Sequence, residues 1–177
     1  MPNETNRETT RPVRLMPDPW FRGNTSARCI GEIVSKPHPE DLRPLKRGER
    51  LLGKFILPPF QRPAVWTSDQ QIKLIESIWD GLPVGAYVFN QSGYHHATDG
   101  WLLDGQQRLT ALLSYVAGGF PIYGYCYTEL DRIEQRGFES RPFGSIETRI
   151  MTEAECRVVY DRLAYGGTPH EPKEKAA

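Results

Sequence analysis

Trp101-Leu102-Leu103-Asp104-Gly105-Gln106-Gln107-Arg108-Leu109, continued by Thr110 to Ala117, is the stretch that decides the fold. A short apolar run meets an amphipathic one through a glycine. That pattern predicts a strand turning directly into a helix. The first N–H groups of a helix have no partner within it. With the helix dipole they make this end attractive to an anion, phosphate above all. Gly105 lets the main chain come close to that anion. Gly105 and Gln106, with Thr110 further along, are candidate phosphate-binding positions. Arg108 adds a planar, permanently charged fork suited to phosphate oxygens. Asp104 can hold a divalent metal or orient an attacking group, so Asp104, Gln107 and Arg108 form the candidate catalytic set. A plain alternative stands beside this: Asp104 as a helix N-cap and Arg108 as a surface ion-pair partner.

Upstream lies a second candidate, Pro58-Pro59-Phe60-Gln61-Arg62-Pro63-Ala64-Val65-Trp66. Its prolines hold the segment extended, with few backbone states to lose on ordering. Gln61 and Arg62 on such a loop make a plausible second clamp on an anion or a base, and Trp66 an aromatic wall. The alternative is a loop packed by its aromatics with Arg62 in a structural ion pair. Downstream, Asp161 to His170 reads as a helix end followed by Gly166-Gly167. Arg162 there either points into a pocket or answers the helix dipole. His95 and His96 fall in a turn, without the further ligands that a metal site needs.

Between these motifs the pattern is of a mixed α+β domain with a small sheet and about three main helices. Lys54-Phe55-Ile56-Leu57 reads as a strand stopped by Pro58-Pro59. Ser68 with Gln71 reads as a capping box opening a helix through Ile72, Ile75, Ile78 and Trp79 to Gly81. Val84–Phe89 and Trp101–Leu103 read as a hairpin. Phe120–Tyr127 alternates as a strand does, residues 128–145 carry little pattern, and Ile146–Met151 reads as a last strand. Thr152 with Glu155 opens a final helix. Residues 1–28 read as a flexible arm, 29–170 as the domain and 171–177 as a charged tail.

Taken together, PPFQRPAVW, the helix ending DGLPVG, WLLDGQQRLTALL and VYDRLAYGGTPHEPKE resemble the N-terminal domain family of GmrSD-type modification-dependent restriction enzymes. The resemblance implies a ParB/sulfiredoxin-like fold and a nucleotide-binding domain. Its DGQQR segment would serve binding and hydrolysis of a nucleoside triphosphate, ATP or GTP, with Mg²⁺. It also implies that Arg62, Arg108 and Arg162 converge on one pocket, with Gly167 and Thr168 among its phosphate-binding residues. The chain departs from the family pattern at Ala164, where an amide side chain usually stands. The function implied is a phosphohydrolase or phosphotransferase, kinase-like, in a DNA restriction, phage or DNA-modification setting. DNA or a modified base would be acceptor or effector, and a partner protein would act with it. Two other functions fit the same motifs: a non-catalytic nucleotide-gated or DNA-binding module, and a ParB-like nuclease.

Composition trims these classes. Lys+Arg and Asp+Glu both number 22, so a basic groove for nucleic acid must be local. Neither GxxxxGK[ST] nor GxSxG occurs, so phosphate chemistry here is not of the P-loop kind. Cys29, Cys126 and Cys156 form no CxxC pair, and no apolar run approaches membrane-spanning length. The expectation is a cytoplasmic protein without a membrane partner.

Overall fold

Apolar side chains alternate along Ala86–Asn90, and that alternation sorts the molecule into layers. Tyr87 and Phe89 enter one buried cluster, whereas Val88 enters another on the opposite face. The structure, a computed structural model, describes residues 16–38, 40, 42–93 and 96–165. Its elements follow as β1 (Gly23–Cys29), α1 (Ile30–Val34), β2 (Arg50–Leu52), β3 (Phe55–Leu57) and α2 (Ser68–Trp79). They continue as β4 (Ala86–Asn90), β5 (Leu102–Asp104), α3 (Gln106–Val116), α4 (Arg132–Glu139), β6 (Pro142–Thr148) and α5 (Glu153–Tyr165). The main sheet runs β1-β6-β4-β5, with β6 parallel to β4 and antiparallel to β1. The β2–β3 hairpin extends this sheet through a bridge from Ile56 to Trp101.

This is the mixed α+β architecture expected. The long helices are α2, α3 and α5; α1 and α4 are shorter additions. Helices α1 to α4 bury Ile33, Ile75, Leu109, Leu112, Tyr115 and Phe138 in the cluster that holds Tyr87. Helix α5 covers the other face with Cys156 and Val159. No helix among the described residues is long and apolar enough to cross a membrane.

Several local expectations shift. Residues 23–28 are not part of an arm: they form β1, in register with β6 from Gly23↔Thr148 to Cys29↔Pro142. As an edge strand exposed along most of its length, β1 carries no apolar period to betray it. Phe120–Tyr127 is a turn rather than a strand. It folds back through a bridge from Ile122 to Tyr125, with Tyr123 at φ 50 and Gly124 at φ 89. Residues 128–145 contain α4, capped by Asp131 with Glu134. The last strand begins at Pro142 and ends at Thr148, earlier than Ile146–Met151. The cap of α2 is Thr67 with Gln70, one residue before the expected pair. Thr152 and Glu155 do cap α5, with Glu155 N donating to Thr152 Oγ1 at 3.2 Å. The tail 171–177 lies outside the described residues.

Buried polar groups pin the loops around β5. Arg43 donates from Nη1 and Nη2 to the two Glu49 oxygens at 2.8 and 2.7 Å. Its other donors reach the carbonyls of Pro44, Ala97 and Asp99. Glu49 also accepts from Lys46 N and from Trp101 Nε1, the latter at 2.6 Å. Every N–H of the guanidinium is therefore used, the condition under which a buried ion pair offsets its desolvation. At the end of β4, Asn90 bonds Thr98, Thr148 and Ile150 with both ends of its amide.

Burial pushes the Glu49 carboxyl up, but the bonds from Arg43, Lys46 and Trp101 and the Arg43 charge outweigh it and hold it at about 2, down from 4.5. A depressed carboxyl stabilises the fold fully above its unfolded value and loses that contribution as pH falls. Urea titrations should therefore show stability steady above pH 4.5 and falling from there towards 2. Glu49→Gln should flatten that fall. It should also cost about 3–5 kcal/mol, because it leaves the Arg43 charge buried and unmatched.

Candidate functional site

Gly105 is the N-cap of α3, at φ 92 and ψ 8, and, being glycine, supplies no side-chain cap to the helix start. A Cβ at this position would lie 2.6 Å from Tyr87 Cβ and 3.0 Å from Tyr87 Cα. The glycine is thus required twice, by its left-handed φ and by the approach of β4. Because β5 ends at Asp104, the turn delivers the open end of α3 beside the carboxylate. Asp104 is not the helix cap. Its Oδ2 accepts from Arg108 Nη2 at 2.7 Å, and the same nitrogen donates to Ala86 O at 2.7 Å. Both side chains remain accessible, Arg108 at 23% and Asp104 at 35%. Asp104 Oδ1 has no bond among the described residues, and Arg108 Nε is buried without a partner.

The Pro-rich loop arrives from β3. Arg50 Nη2 donates to Gln61 O at 2.7 Å, and Gln61 N donates to Pro58 O at 3.0 Å. Further along, the Gln107 side-chain oxygen accepts from Val65 N at 3.0 Å and Trp66 N at 3.1 Å. The two motifs recognised separately in the sequence are therefore stitched together. Arg62 lies between these fastenings, exposed and without an ion pair among the described residues. Gln61 is 6% exposed, and its Oε1 is buried with no hydrogen-bond partner among the described residues.

The result is a cleft of about 200 Å³ lined by Gln61, Arg62, Trp66 and the whole of Asp104 to Arg108. The opposite wall comes from α5: Tyr160, Leu163 and Ala164. Tyr160 packs against Phe60, ring centroids 5.5 Å apart. Trp66 is half-buried in the wall. Two larger cavities open elsewhere, of about 920 Å³ beside Trp20 and Arg149 and about 420 Å³ beside Leu82 and Arg141. The second is lined by Gly81 to Gly85 of the DGLPVG segment, but neither includes the Pro-rich loop or the DGQQR turn, so volume does not locate the candidate chemistry here.

Two arginines, not three, line the cleft. Arg162 is exposed in the last turn of α5 and stands outside the lining, as does half-buried Thr110 on α3. The reason is helical spacing. Positions 160, 163 and 164 share a face at i, i+3 and i+4, and position 162 points away from it. The same spacing, read from the sequence, would have chosen Tyr160 and Ala164 over Arg162. Gly167, Thr168 and His95 lie outside the described residues. His96 is a turn residue, its Nδ1 within 3.2 Å of Ser92 Oγ and 3.0 Å of Thr98 Oγ1.

Chemically, the cleft joins an uncapped helix start, two guanidinium groups and one carboxylate. No cluster of three or more His, Cys, Asp or Glu that could hold a metal occurs among the described residues. A single carboxylate does fit Mg²⁺ when the ion arrives with substrate phosphates, which supply further oxygens.

Residues 42–173 match the family model described as the GmrSD restriction endonuclease, N-terminal domain. No curated protein and no solved structure matches the chain.

The turn at Gly105 can be tested without a ligand. Gly105→Ala imposes the left-handed backbone on a side chain and drives its Cβ into β4. Denaturant unfolding should show a loss of about 2–4 kcal/mol, the sum of backbone strain and overpacking.

Proposed function

We propose that this chain, which belongs to the N-terminal domain family of the GmrSD restriction endonuclease, binds the phosphate end of a nucleoside triphosphate in the cleft at Gly105. The observation that carries this reading is the open start of α3 beside Arg108 and Arg62. Peptide donors, helix dipole and two cations all favour an anion there. At about 200 Å³ the cleft is smaller than the 300–1,000 Å³ usual for whole small-molecule ligands. It suits a phosphate group, with the base and sugar extending past Trp66 and Tyr160.

In this reading the chain hydrolyses the triphosphate or passes its terminal phosphoryl group to an acceptor. The N–H groups of the α3 start hold oxygens of the chain of phosphates. Arg108 and Arg62 balance the charge that develops during transfer. Asp104 Oδ1 accepts a proton from the attacking group or ligates Mg²⁺, while Oδ2 stays on Arg108. Mg²⁺, when bound, neutralises phosphate charge and aligns the oxygens. Family membership supports a restriction setting, with DNA or a modified base as acceptor or effector.

A second reading has its own support. Asp104 is already engaged by Arg108, and Gln107 has spent its oxygen on the loop. A site so tied can bind and signal without turnover, as a nucleotide-gated module acting with a partner chain.

Phosphate release measured across nucleoside triphosphates, with Mg²⁺ and with or without DNA, separates these functions. Release with triphosphate alone supports hydrolysis; release only with an acceptor supports transfer; binding without release supports the module. Arg108→Ala should weaken nucleotide binding by about 1.5–3 kcal/mol. Unchanged affinity in a folded variant would remove the cleft from the account. Asp104→Asn should keep the Arg108 bond and near-normal thermal stability, yet lower phosphate release by roughly 10²-fold or more. A fully active Asp104→Asn protein would assign the carboxylate to structure.

A further inference from the structure

We propose that Gln107 is a positioning residue: its side-chain oxygen is the fastener that holds the Arg62–Trp66 loop over the helix start, and it does not activate an attacking water. Two backbone donors, Val65 N and Trp66 N, converge on Oε1 at 3.0 and 3.1 Å. A carbonyl oxygen has two lone-pair directions, so this acceptor is full. A glutamine that orients water does so by accepting from it, and that capacity is gone here. What remains is the NH₂ group, two donors that suit an acceptor such as a phosphate oxygen.

The loop depends on this fastening. Upstream it is tied at Gln61 by Arg50. Downstream, the Gln107 bonds tie Val65 and Trp66, and Gln71 Nε2 reaches Trp66 O only at 3.4 Å. Arg62-Pro63-Ala64 spans the gap with all three residues exposed. Their place over the cleft is set from both ends, and Gln107 supplies the end nearer the helix. One side chain thus makes the position of the Pro-rich motif a consequence of the DGQQR turn.

The fastening stands on geometry alone; its effect on nucleotide rests on the function proposed above. Amide hydrogen exchange on the nucleotide-free chain tests the first independently of the second. In Gln107→Ala, exchange at Val65 and Trp66 should accelerate about tenfold or more, as expected for losing an acceptor shared by two donors. Exchange at Ile75 in α2 should not change. Gln107→Glu keeps an oxygen acceptor and should retain the protection. Unchanged exchange at Val65 and Trp66 in Gln107→Ala overturns the fastening. If Gln107→Ala fails to fold, loss of protection in Gln107→Glu overturns it instead. In nucleotide turnover, Gln107→Ala should raise KM and leave kcat within a few-fold, and Arg62→Ala should add less on that background than on wild type. A kcat lower by roughly 10² at unchanged KM would return Gln107 to the chemistry and overturn the positioning role. A wild-type chain that binds no nucleotide would sink the functional reading and leave the exchange result to decide the fastening.

Discussion

Helix α3 begins where β4 leaves no room for a Cβ. The contact between Gly105 and Tyr87 is the tightest constraint on the cleft, and most of its geometry descends from it. Held against β4, the turn sets the direction of α3, and one turn later Arg108 comes back over β4 to reach the Ala86 carbonyl. That bond and the Asp104 ion pair share a single nitrogen. Carboxylate, guanidinium and sheet backbone therefore move as one body. A looser joint would still give a helix after a strand, but it would not place a cation and a carboxylate within hydrogen-bond reach at an uncapped helix start.

Rigidity on the other side of the cleft comes from a different source. The loop from Pro58 to Trp66 opens on a turn, closed by Gln61 N on Pro58 O, and is stitched at both ends, and the entry to β5 is anchored by the buried Arg43–Glu49–Trp101 group. The site is thus assembled from segments far apart in the chain, each held by polar contacts with few spare donors. Such pre-ordering lowers the entropy that a small anion must offset on binding.

The parts of this arrangement legible in the sequence were those with local physics. The strand–glycine–helix joint, the proline-braced loop and the Thr152–Glu155 cap all follow from neighbouring residues, and all occur. The mixed α+β class followed from the same signals. What escaped was settled at long range. Strand β1 has small polar residues and takes its conformation from β6, so nothing in Gly23–Cys29 announces a strand. Helix α4 escapes although Asp131 and Glu134 carry a capping signal, because it is only eight residues long, largely polar, and buries one apolar side chain, Phe138. In the cleft, the motif residues of the loop and turn were found. In the α5 wall charge points to Arg162, but helical spacing selects Tyr160, Leu163 and Ala164 as the residues that face the cleft.

The strand order carries one more consequence, for the nascent chain. Strand β6 sits between β1 and β4, yet among the described residues it is the last strand in chain order, and Ser26 meets Ser145 across 119 positions. Until the ribosome has released residue 148 the sheet has a vacant middle row. The β4 edge beneath the cleft stays unpaired there, and β1 has nothing to join. Closure of this sheet is therefore a late, non-local event that bears the full loop-closure entropy of the intervening chain. Growth of the polypeptide cannot complete the Gly105 cleft's supporting sheet piecemeal; it is finished in a single step from the C-terminal side.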